Sequence, residues 1–445
     1  MGPRFPTFPV YRVGSISFRS VNHRIQCVSV TLKTAAFGTI TVMPTAKLQE
    51  GILVNTHDIA GDAVWGVIDP WAVEIWRRIH RFPELGLDTP QTQALVEGIL
   101  EDLGIEHQQV IAHGVKGFIG PKAGPAILLR ADMDGLPIQE TTNLSFQSEM
   151  DGRMHACGHD AHTAMLLGAA RFLKHYEELL ERPVVLMFQP GEEGPGGALP
   201  MIESGILSDP PVTHAAMVHV DSDQPVGVIG LKSGPAMASP NEFQIVVRGQ
   251  GGHGAHPDKG VDAIVAAAAI IQASQTLVSR EQDPVIPLVV TFGTILGGYR
   301  ENVLADQVTM TGTIRILQPE RRQPILDRFS QLVSDIAHAY RAEAFIDIRP
   351  GYPPFVADVA FTNHVGSVLE RVLGSQKVVW LTNPSMGGED FAYIAERVAA
   401  TNLHVGVVGP GSQSGLHSAR FILNEGAIGT GSRALAAVAM LTGSI

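Results

Sequence analysis

Residues 183–194 read PVVLMFQPGEEG, and this stretch indicates how the chain is organised. Its first seven residues carry no charge, which predicts a buried β-strand. A glycine-containing turn follows directly and presents two adjacent carboxylates, Glu192 and Glu193. Enzymes with an open α/β sheet place their sites at the carboxyl ends of the strands, so we expect chemistry at this edge.

Helices and strands alternate on both sides of this stretch. Residues 126–130 (AILLR) and 215–220 are short apolar runs that predict further strands, and helical spacing covers residues 71–79, 90–103 and 161–176. This order predicts an α/β/α domain with a central, mostly parallel sheet and helices on both faces.

The pattern changes after about residue 232. Residues 243–249, 288–295 and 308–316 alternate with the period of strands, and two helical segments, 261–279 and 319–342, lie among them. We predict an inserted α+β domain at 233–344, with an antiparallel sheet and two helices. The two parts of the α/β domain are then 66–232 and 345–445.

Length and composition limit the possible functions. A chain of 445 residues, 45% hydrophobic and 17% charged, is typical of a well-packed globular enzyme of two domains. Its net charge of −12 disfavours nucleic acid and anionic membranes as partners. The longest apolar segment, 261–273, is interrupted by Asp262 and predicts a buried helix rather than a membrane span.

Residues 1–65 differ from the rest and are predicted to be an N-terminal extension. Up to residue 49 this segment contains basic residues and no acid, as some organelle-targeting leaders do. The two main alternatives, which are equally open, are a disordered or non-native extension and an ordered appendage with a strand near residues 28–32; targeting is the less favoured interpretation. Two cysteines, Cys27 and Cys157, cannot form a disulfide framework, so we expect a reducing compartment, the cytoplasm.

The segment MHACGHDAH, at 154–162, carries a thiol and three imidazoles, from Cys157, His155, His159 and His162. Thiolate and imidazole are preferred ligands of zinc and related ions, so this cluster predicts a metal site. Beside it, the two glutamates of the first stretch can do different jobs. One would bind metal, and the other would act as general base on a metal-activated water; the alternative is a solvated acidic turn.

Several single residues are candidates of lower specificity. His219 ends an apolar strand, and His417 lies in a late loop. Asp132 and Asp134 follow the strand 126–130 and should point to opposite faces, so that one of them orients a ligand histidine; the alternative is a turn-capping aspartate. In the inserted domain the candidates for a lid over the substrate are His253, Asn302 and Arg315. Taken alone, each of the three is more typical of a structural role.

From about residue 70 to its end the chain resembles the aminoacylase/carboxypeptidase-type metallopeptidases. The branch it is most similar to holds indole-acetyl-amino-acid hydrolases, hippurate hydrolases and N-acyl-amino-acid amidohydrolases. The stretches that carry the resemblance occur in the family's order: HRFPELGLDTPQT (80–92), LLRADMDGLPIQE (128–140), MHACGHDAHTAMLLGAA (154–170), FQPGEEGPGGALPMIESG (188–205), GQGGHGAHPDKGVDAI (249–264), NVLADQVTMTGTIR (302–315) and SMGGEDFAY (385–393).

This resemblance implies two divalent metal ions per subunit, zinc or manganese, with cobalt or nickel accepted by related enzymes. Glu192 corresponds to the general base, Asp134 to the acid that orients the site, and His253 to a histidine that stabilises the oxyanion, often from the other subunit of a dimer. Asn302 and Arg315 resemble residues around the substrate carboxylate. The positions matching the family's metal ligands are Cys157, His159, Glu193, His219 and His417.

Two departures from the family pattern remove no functional group: Ala305 replaces a common proline, and Asn241 stands where an acid is frequent. The resemblance also implies that the inserted domain is a lid and carries the contact of a homodimer or homotetramer.

The predicted function is metal-dependent hydrolysis of the amide bond of N-acyl amino acids. The alternatives are a dipeptidase or carboxypeptidase on the same scaffold and, more remotely, a metal-binding protein without catalysis. The expected partner is a small N-acyl amino acid or a short peptide.

Overall fold

The computed structural model describes residues 30–32, 40–42, 59, 61 and 63–442. The chain divides into two compact units, Met1–Val54 and Asn55–Ile445. In the first unit, β1 (Val30–Leu32) pairs antiparallel with β2 (Ile40–Val42). The other predictions for the N-terminal extension, and Cys27, lie outside the described residues.

An eight-stranded sheet forms the centre of the second unit, in the order β17-β8-β18-β7-β5-β6-β4-β3. The pairings β17–β8, β18–β7, β7–β5 and β5–β6 are parallel, and the other three are antiparallel. The mixed, mostly parallel sheet predicted from the sequence is thus confirmed. Its strands are β3 (Glu106–Gln109), β4 (Val115–Ile119), β5 (Ala126–Asp132), β6 (Val184–Gln189), β7 (Val212–Pro225), β8 (Ile229–Leu231), β17 (Val378–Trp380) and β18 (Ala399–Val408).

The strand in the opening stretch, β6, lies inside the sheet between β5 and β4. Every residue of β5 and β6 is buried, which explains why both are uninterrupted runs rather than alternating patterns. The two strands run parallel, and Asp132 is the register partner of Gln189. The acids that follow each strand therefore emerge at the same edge of the sheet.

Helices cover both faces of the central sheet. The long helices α1, α3, α7 and α9 pack against one another and against the strands on one face. Short helices α4 and α8 join a separate core on the other face, with side chains of β5, β6 and β7. The helices of the unit are α1 (Trp65–His80), α2 (Pro90–Asp102), α3 (His159–His175), α4 (Ala198–Glu203), α5 (Ala263–Thr276), α6 (Pro319–Ala339), α7 (Val359–Leu373), α8 (Ala392–Ala395) and α9 (Gly426–Leu441).

A four-stranded antiparallel sheet, β12-β14-β10-β15, lies between the two parts of this α/β layer in the sequence. Its core is formed with α5 and α6, as expected for the inserted domain, which we call the lid. The strands are β10 (Ser239–Arg248), β12 (Leu288–Gly297), β14 (Gln307–Ile316) and β15 (Glu343–Pro350). Two small ribbons complete the unit, β9 (Gly234–Met237) with β16 (Phe355–Ala357) and β11 (Gly252–His253) with β13 (Val303–Leu304).

The lid sheet extends further than the sequence predicted. Strand β15 pairs with β10 through Pro350, so the predicted boundary at residue 344 falls inside a strand of the lid. The reason is that β15 lies at the sheet's edge, where half-exposed side chains give a weak apolar pattern. The boundaries at 66 and 233 stay predictions.

Residues 263–281, which begin with α5, are long and apolar enough to cross a membrane by length and composition, alone among the described helices. One face of α5, formed by Ala263, Ala266, Ala267 and Ile270, is buried in the lid core. The apolar run is therefore explained by a helix face buried against a sheet, and the buried helix predicted from the sequence is what the structure shows.

A buried ionic cluster holds α1 against the start of α3. His80, in the last turn of α1, places Nδ1 2.6 Å from Asp160 Oδ2 and Nε2 3.3 Å from Glu140 Oε1. Burial disfavours the imidazolium, but the two carboxylates outweigh it and raise the pKa of His80 to about 9. Because Asp160 follows His159 directly, the cluster also fixes the helix end that carries a predicted metal ligand.

We expect this cluster to make the protein less stable at alkaline pH. The folded pKa of His80 lies above its ordinary value of 6.5, so the stabilisation is fully present below about pH 6.5 and is lost as the pH rises through about 9. In urea unfolding at pH 6, 7.5 and 9, the free energy of unfolding of the wild-type protein should fall as the pH rises. The fall should be smaller in His80→Gln. His175→Gln, on the exposed end of α3, is the control; a pH dependence unchanged in His80→Gln would contradict the assignment.

Candidate metal centre and catalytic cleft

The turn before α3 brings the thiol of the predicted cluster against a strand of the sheet. Gly158 precedes the helix with φ of +84°, and a Cβ there would lie 2.6 Å from Val220 Cγ2. Glycine therefore allows both the left-handed turn and the close approach to β7. Through this turn Cys157 Sγ comes within 3.6 Å of His219 Nε2.

The hydrogen bonds of two histidines leave one nitrogen of each available to a metal. His219 Nδ1 donates to the carbonyl oxygen of Val220 at 2.8 Å, so its Nε2 carries the lone pair. His159 Nδ1 lies 3.3 Å from Asp134 Oδ1, and its buried Nε2 has no hydrogen-bond partner among the described residues. Metal-ligating histidines use their second nitrogen in this way, to fix tautomer and orientation.

A second group of ligand atoms surrounds the same thiol. Glu193 Oε1 lies 3.2 Å from His417 Nε2. His417 has a φ of +60°, and its N–H donates to Ala156 O at 2.8 Å, which ties the late loop to the cysteine segment. Cys157, Glu193 and His417 thus lie together although they are distant in sequence.

These residues form two overlapping groups, each able to hold one metal ion. Within each group the ligand atoms lie within 4.8 Å of one another, and Cys157 belongs to both. Burial lowers the pKa of His219 to about 3, with His162 adding to the effect, so this imidazole is neutral and able to coordinate. Burial also raises the pKa of the Cys157 thiol, whereas a bound cation would stabilise the thiolate. The donors fit a pair of zinc-like ions.

The other histidines of the cluster are placed differently. His162 Nδ1 lies 2.6 Å from Asp132 Oδ1, and its Nε2 accepts the N–H of Val220, so both nitrogens are occupied by protein groups. His155 is buried on the side of His80, with ring centroids 6.4 Å apart. Neither belongs to the two groups that share Cys157.

Asp134 positions three groups of the site at once. Its carboxylate contacts His159 and accepts the backbone N–H groups of Glu192 and Glu193, at 3.0 and 3.1 Å. The expectation that only one acid of the pair faces the site is wrong, because Asp132 Oδ2 also lies 3.7 Å from His159 Nε2. The reason is that residues two apart in an extended segment project from the same face of a sheet rather than from opposite faces.

Glu192 is a buried carboxylate beside the two groups. It is 8% exposed, and its Oε2 lies 4.0 Å from His159 Nε2. Burial raises its pKa well above the usual range, and the charge of Glu389 adds to this, whereas His159 opposes it. A carboxylate whose proton affinity is raised in this way suits a general base.

A buried arginine forms ion pairs with three acids, two of which were not among the candidates predicted from the sequence. Arg130, fully buried in β5, forms ion pairs with Asp132 at 2.6 Å and with Glu389 and Asp390 at 3.0 Å. Gln189 bonds both Arg130 and Asp390. The available signals were an arginine inside an apolar strand and the ED pair at 389–390.

The turn after β6 is anchored from the segment that follows the lid. The hydroxyl of Tyr352 lies 2.8 Å from the carbonyl oxygen of Glu192 and 3.0 Å from that of Gly194. Its ring also fills the space next to Gly196, where a Cβ would lie 2.9 Å from Cε1. The position of the glutamates therefore depends on a residue adjacent to the lid.

The site opens into a cleft of about 1190 Å³ between the sheet edge and the lid. Arg315 and, unexpectedly, Arg349 line its lid side. His253 and Asn302 do not line it in the single chain; both are exposed on the β11–β13 ribbon, where Gly254 N–H donates to Asn302 O at 2.8 Å. The structure thus gathers the predicted metal ligands, Glu192, Asp134 and Arg315, and leaves these two lid residues elsewhere.

Comparison with known proteins assigns the chain to a family. Residues 128–441 match the sequence profile of peptidase family M20/M25/M40. The chain belongs to this family. It is 38% identical to an IAA-amino acid hydrolase of Arabidopsis thaliana, over 80% of this chain and 82% of that protein. It is 36% identical to thermostable carboxypeptidase 1 of Saccharolobus solfataricus, over 84% and 95%.

A solved structure supports the same conclusion. The fold matches a Bacillus subtilis protein described as a dinuclear metal binding peptidase from the M20 family, with a TM-score of 0.74 and 34% identity. The match covers 85% of this chain and 99% of the other. The M20 chain described here is therefore a hydrolase of the amidohydrolase and peptidase type, with the fold of a dinuclear metal enzyme.

We expect the thiol of Cys157 to be protected by metal. Alkylation by iodoacetamide under native conditions should leave Cys157 unmodified in the metal-loaded protein and label it after chelation, because coordination shields a sulfur that otherwise lines the cleft. Peptide mass spectrometry distinguishes Cys157 from Cys27. Equal labelling of Cys157 before and after removal of metal would count against its role as a ligand.

Proposed function

We propose that this M20 hydrolase cleaves the amide bond of N-acyl amino acids, with two divalent ions and Glu192 as general base. The observation that carries the proposal is the sharing of Cys157 by two groups of potential ligands, next to the buried carboxylate of Glu192. The five ligands proposed are Cys157, His159, Glu193, His219 and His417. Zinc is the metal favoured by thiolate and imidazole, with manganese as the second candidate.

When bound, two divalent ions activate a water and polarise the amide carbonyl. Glu192 takes the proton of that water on its carboxylate and delivers it to the nitrogen of the departing amine. Asp134 holds Glu192 through its backbone N–H and keeps His159 Nε2 turned to the site. Burial of Glu192 excludes solvent from the carboxylate during both proton transfers.

Arg315 supports the choice of an amino acid as one half of the substrate. It lines the cleft from β14, and its guanidinium can bind a free α-carboxylate in bidentate geometry. The IAA-amino acid hydrolase of Arabidopsis thaliana, by its name, acts on such a conjugate. A substrate held by its carboxylate would place the amide near the metal groups.

His253 and Asn302 would act only after a second copy of the chain approaches. We propose a homodimer or homotetramer in which the β11–β13 ribbon of one subunit reaches the cleft of the other. Exposed apolar side chains near this ribbon support an interface there: Ile264, Val265, Ile295, Leu296, Tyr299 and Val303. In that arrangement His253 would stabilise the oxyanion and Asn302 would contact the substrate.

A dipeptidase or carboxypeptidase activity is the second candidate, and the similarity to a thermostable carboxypeptidase favours it specifically. The same residues would perform the same chemistry, with an aminoacyl group in place of the acyl group. We also propose a cytoplasmic location, on the basis of the cysteine content alone.

Replacement of the general base tests the mechanism. Glu192→Gln keeps the size of the side chain but cannot accept a proton, so kcat should fall by about 10²-fold or more. Metal content, measured by inductively coupled plasma mass spectrometry, should stay at the wild-type value. Glu203→Gln, on an exposed turn of α4, is the matched control. A fully active Glu192→Gln protein would contradict the assignment of Glu192 as the general base.

A comparison of substrates separates the two candidate activities. N-acetyl and N-benzoyl amino acids are assayed beside dipeptides that carry the same C-terminal amino acid, all with metal-loaded protein. The proposal expects kcat/KM to be higher for the N-acyl compounds. Preference for dipeptides would favour the peptidase instead, and no hydrolysis of either set would reject both.

A further inference from the structure

The cleft has an arm that the mechanism does not use. It is lined by residues of or next to β18, β8 and β17, which follow β7 and its His219 in the order of the central sheet. Its walls include an aromatic ring, an ammonium group and a buried polar pair, and are lined by Lys232, Trp380, Leu381, Asn383, Asn402 and His404.

The register of the sheet places this arm next to the metal ligands. His404 in β18 is the parallel register partner of His219 in β7. Adjacent strands lie about 4.8 Å apart, and register partners project from the same face. Asn402, two residues earlier, shares that face, whereas Thr401 points to the opposite face and accepts a hydrogen bond from Thr362 of α7.

The side chain of Asn402 gives a second indication of a ligand site, because one end of its amide has no hydrogen-bond partner among the described residues. The residue is only 2% exposed. Its Nδ2 lies 3.3 Å from His404 Nε2, and its Oδ1 has no hydrogen bond among the described residues. Turning the amide over exchanges the two ends but still leaves one unpaired. A buried unpaired amide group is unfavourable, so it indicates a place where a ligand group binds.

The surroundings limit the chemistry of that ligand. Trp380 and Leu381 offer apolar surface, and Trp380 is 42% exposed, whereas Asn402 is buried. Lys232 Nζ bonds only the carbonyl oxygen of Ser233, at 3.1 Å, among the described residues, and has further protons to donate. A ligand group with an apolar stem and a hydrogen-bonding end matches this arrangement of apolar and polar surfaces.

We propose that this arm is the subsite for the acyl group, and that Asn402, held by His404, selects acyl chains with a hydrogen-bonding group such as an amide. The inference rests on the proposed function. The direction follows from Arg315: a substrate whose carboxylate is bound on the lid side directs its acyl group to the catalytic-domain side, where the arm lies. Asn402 is then a specificity-determining residue and takes no part in the proton transfers.

Two acyl groups of matching shape test the subsite. N-malonamoyl and N-isovaleryl conjugates of one amino acid have acyl groups of similar shape. The malonamoyl group ends in a carboxamide where the isovaleryl group ends in an isopropyl group. The wild-type protein should prefer the malonamoyl conjugate by about 10-fold or more in kcat/KM, as expected for a buried polar partner that the isovaleryl group leaves unpaired. Asn402→Leu should abolish or reverse this preference while it hydrolyses the isovaleryl conjugate at least as well as wild type.

Control variants and the remaining outcomes keep the inference separate from the proposed function. Thr401→Val removes a buried hydroxyl from the same strand on the opposite face and should leave the preference unchanged. His404→Phe removes the partner of Asn402 and should weaken the preference; it replaces Asn402→Leu as the test if that variant does not fold. Equal rates for both conjugates in the wild type would overturn the subsite.

A change in discrimination among C-terminal amino acids, rather than among acyl groups, would also overturn it, because the arm would then hold the amino acid. Failure of the wild type to hydrolyse any N-acyl amino acid, N-acetyl conjugates included, would instead contradict the proposed function itself.

Discussion

The concentration of buried negative charge at one edge of the central sheet is the constraint on which the site depends. One acid ends β5 and another follows it, two follow β6, and two more come from a distant loop: Asp132, Asp134, Glu192, Glu193, Glu389 and Asp390. Arg130 is the fixed cation placed among them. Buried charges of one sign are strongly unfavourable without compensation, so the edge requires further positive charge. Two divalent ions held by the residues around Cys157 would supply it.

This constraint explains the division of labour between neighbouring acids. Glu193 lies against His417 and within reach of Cys157, where a cation would bind, whereas Glu192 lies against other carboxylates. Burial opposes ionisation of Glu193, but His417, His159 and Cys157 together lower its pKa, whereas the pKa of Glu192 is raised by burial and by Glu389. This difference supports the proposal that Glu193 is a ligand and Glu192 a proton acceptor, although the two residues are adjacent and of one kind.

The sequence predicted the parts of this arrangement that are local. Each motif directly follows a strand or begins a helix, so apolar patterning and the adjacent polar residues were sufficient to place Cys157, His159, Glu192 and Glu193 at one edge. The layered α/β fold and the inserted antiparallel domain follow from the same periodicities. The resemblance to a family of metallopeptidases added His219, His417 and Asp134, which have little signal of their own.

The parts that could not be predicted depend on contacts distant in the chain. Arg130 and Asp390 are 260 residues apart, and only the folded sheet shows that they pair. The unpaired amide of Asn402 depends likewise on the register of β18 against its neighbours. His253 and Asn302 are exposed in the single chain, as the proposed sharing of the site between subunits requires.

The central claim is that two metal ions share the thiolate of Cys157. Anomalous X-ray diffraction from crystals of the metal-loaded protein tests it most directly. The account predicts two peaks per chain, one among Cys157, His159 and His219 and one among Cys157, Glu193 and His417. A single peak, or metal bound instead among Glu192, Glu389 and Asp390, would contradict it.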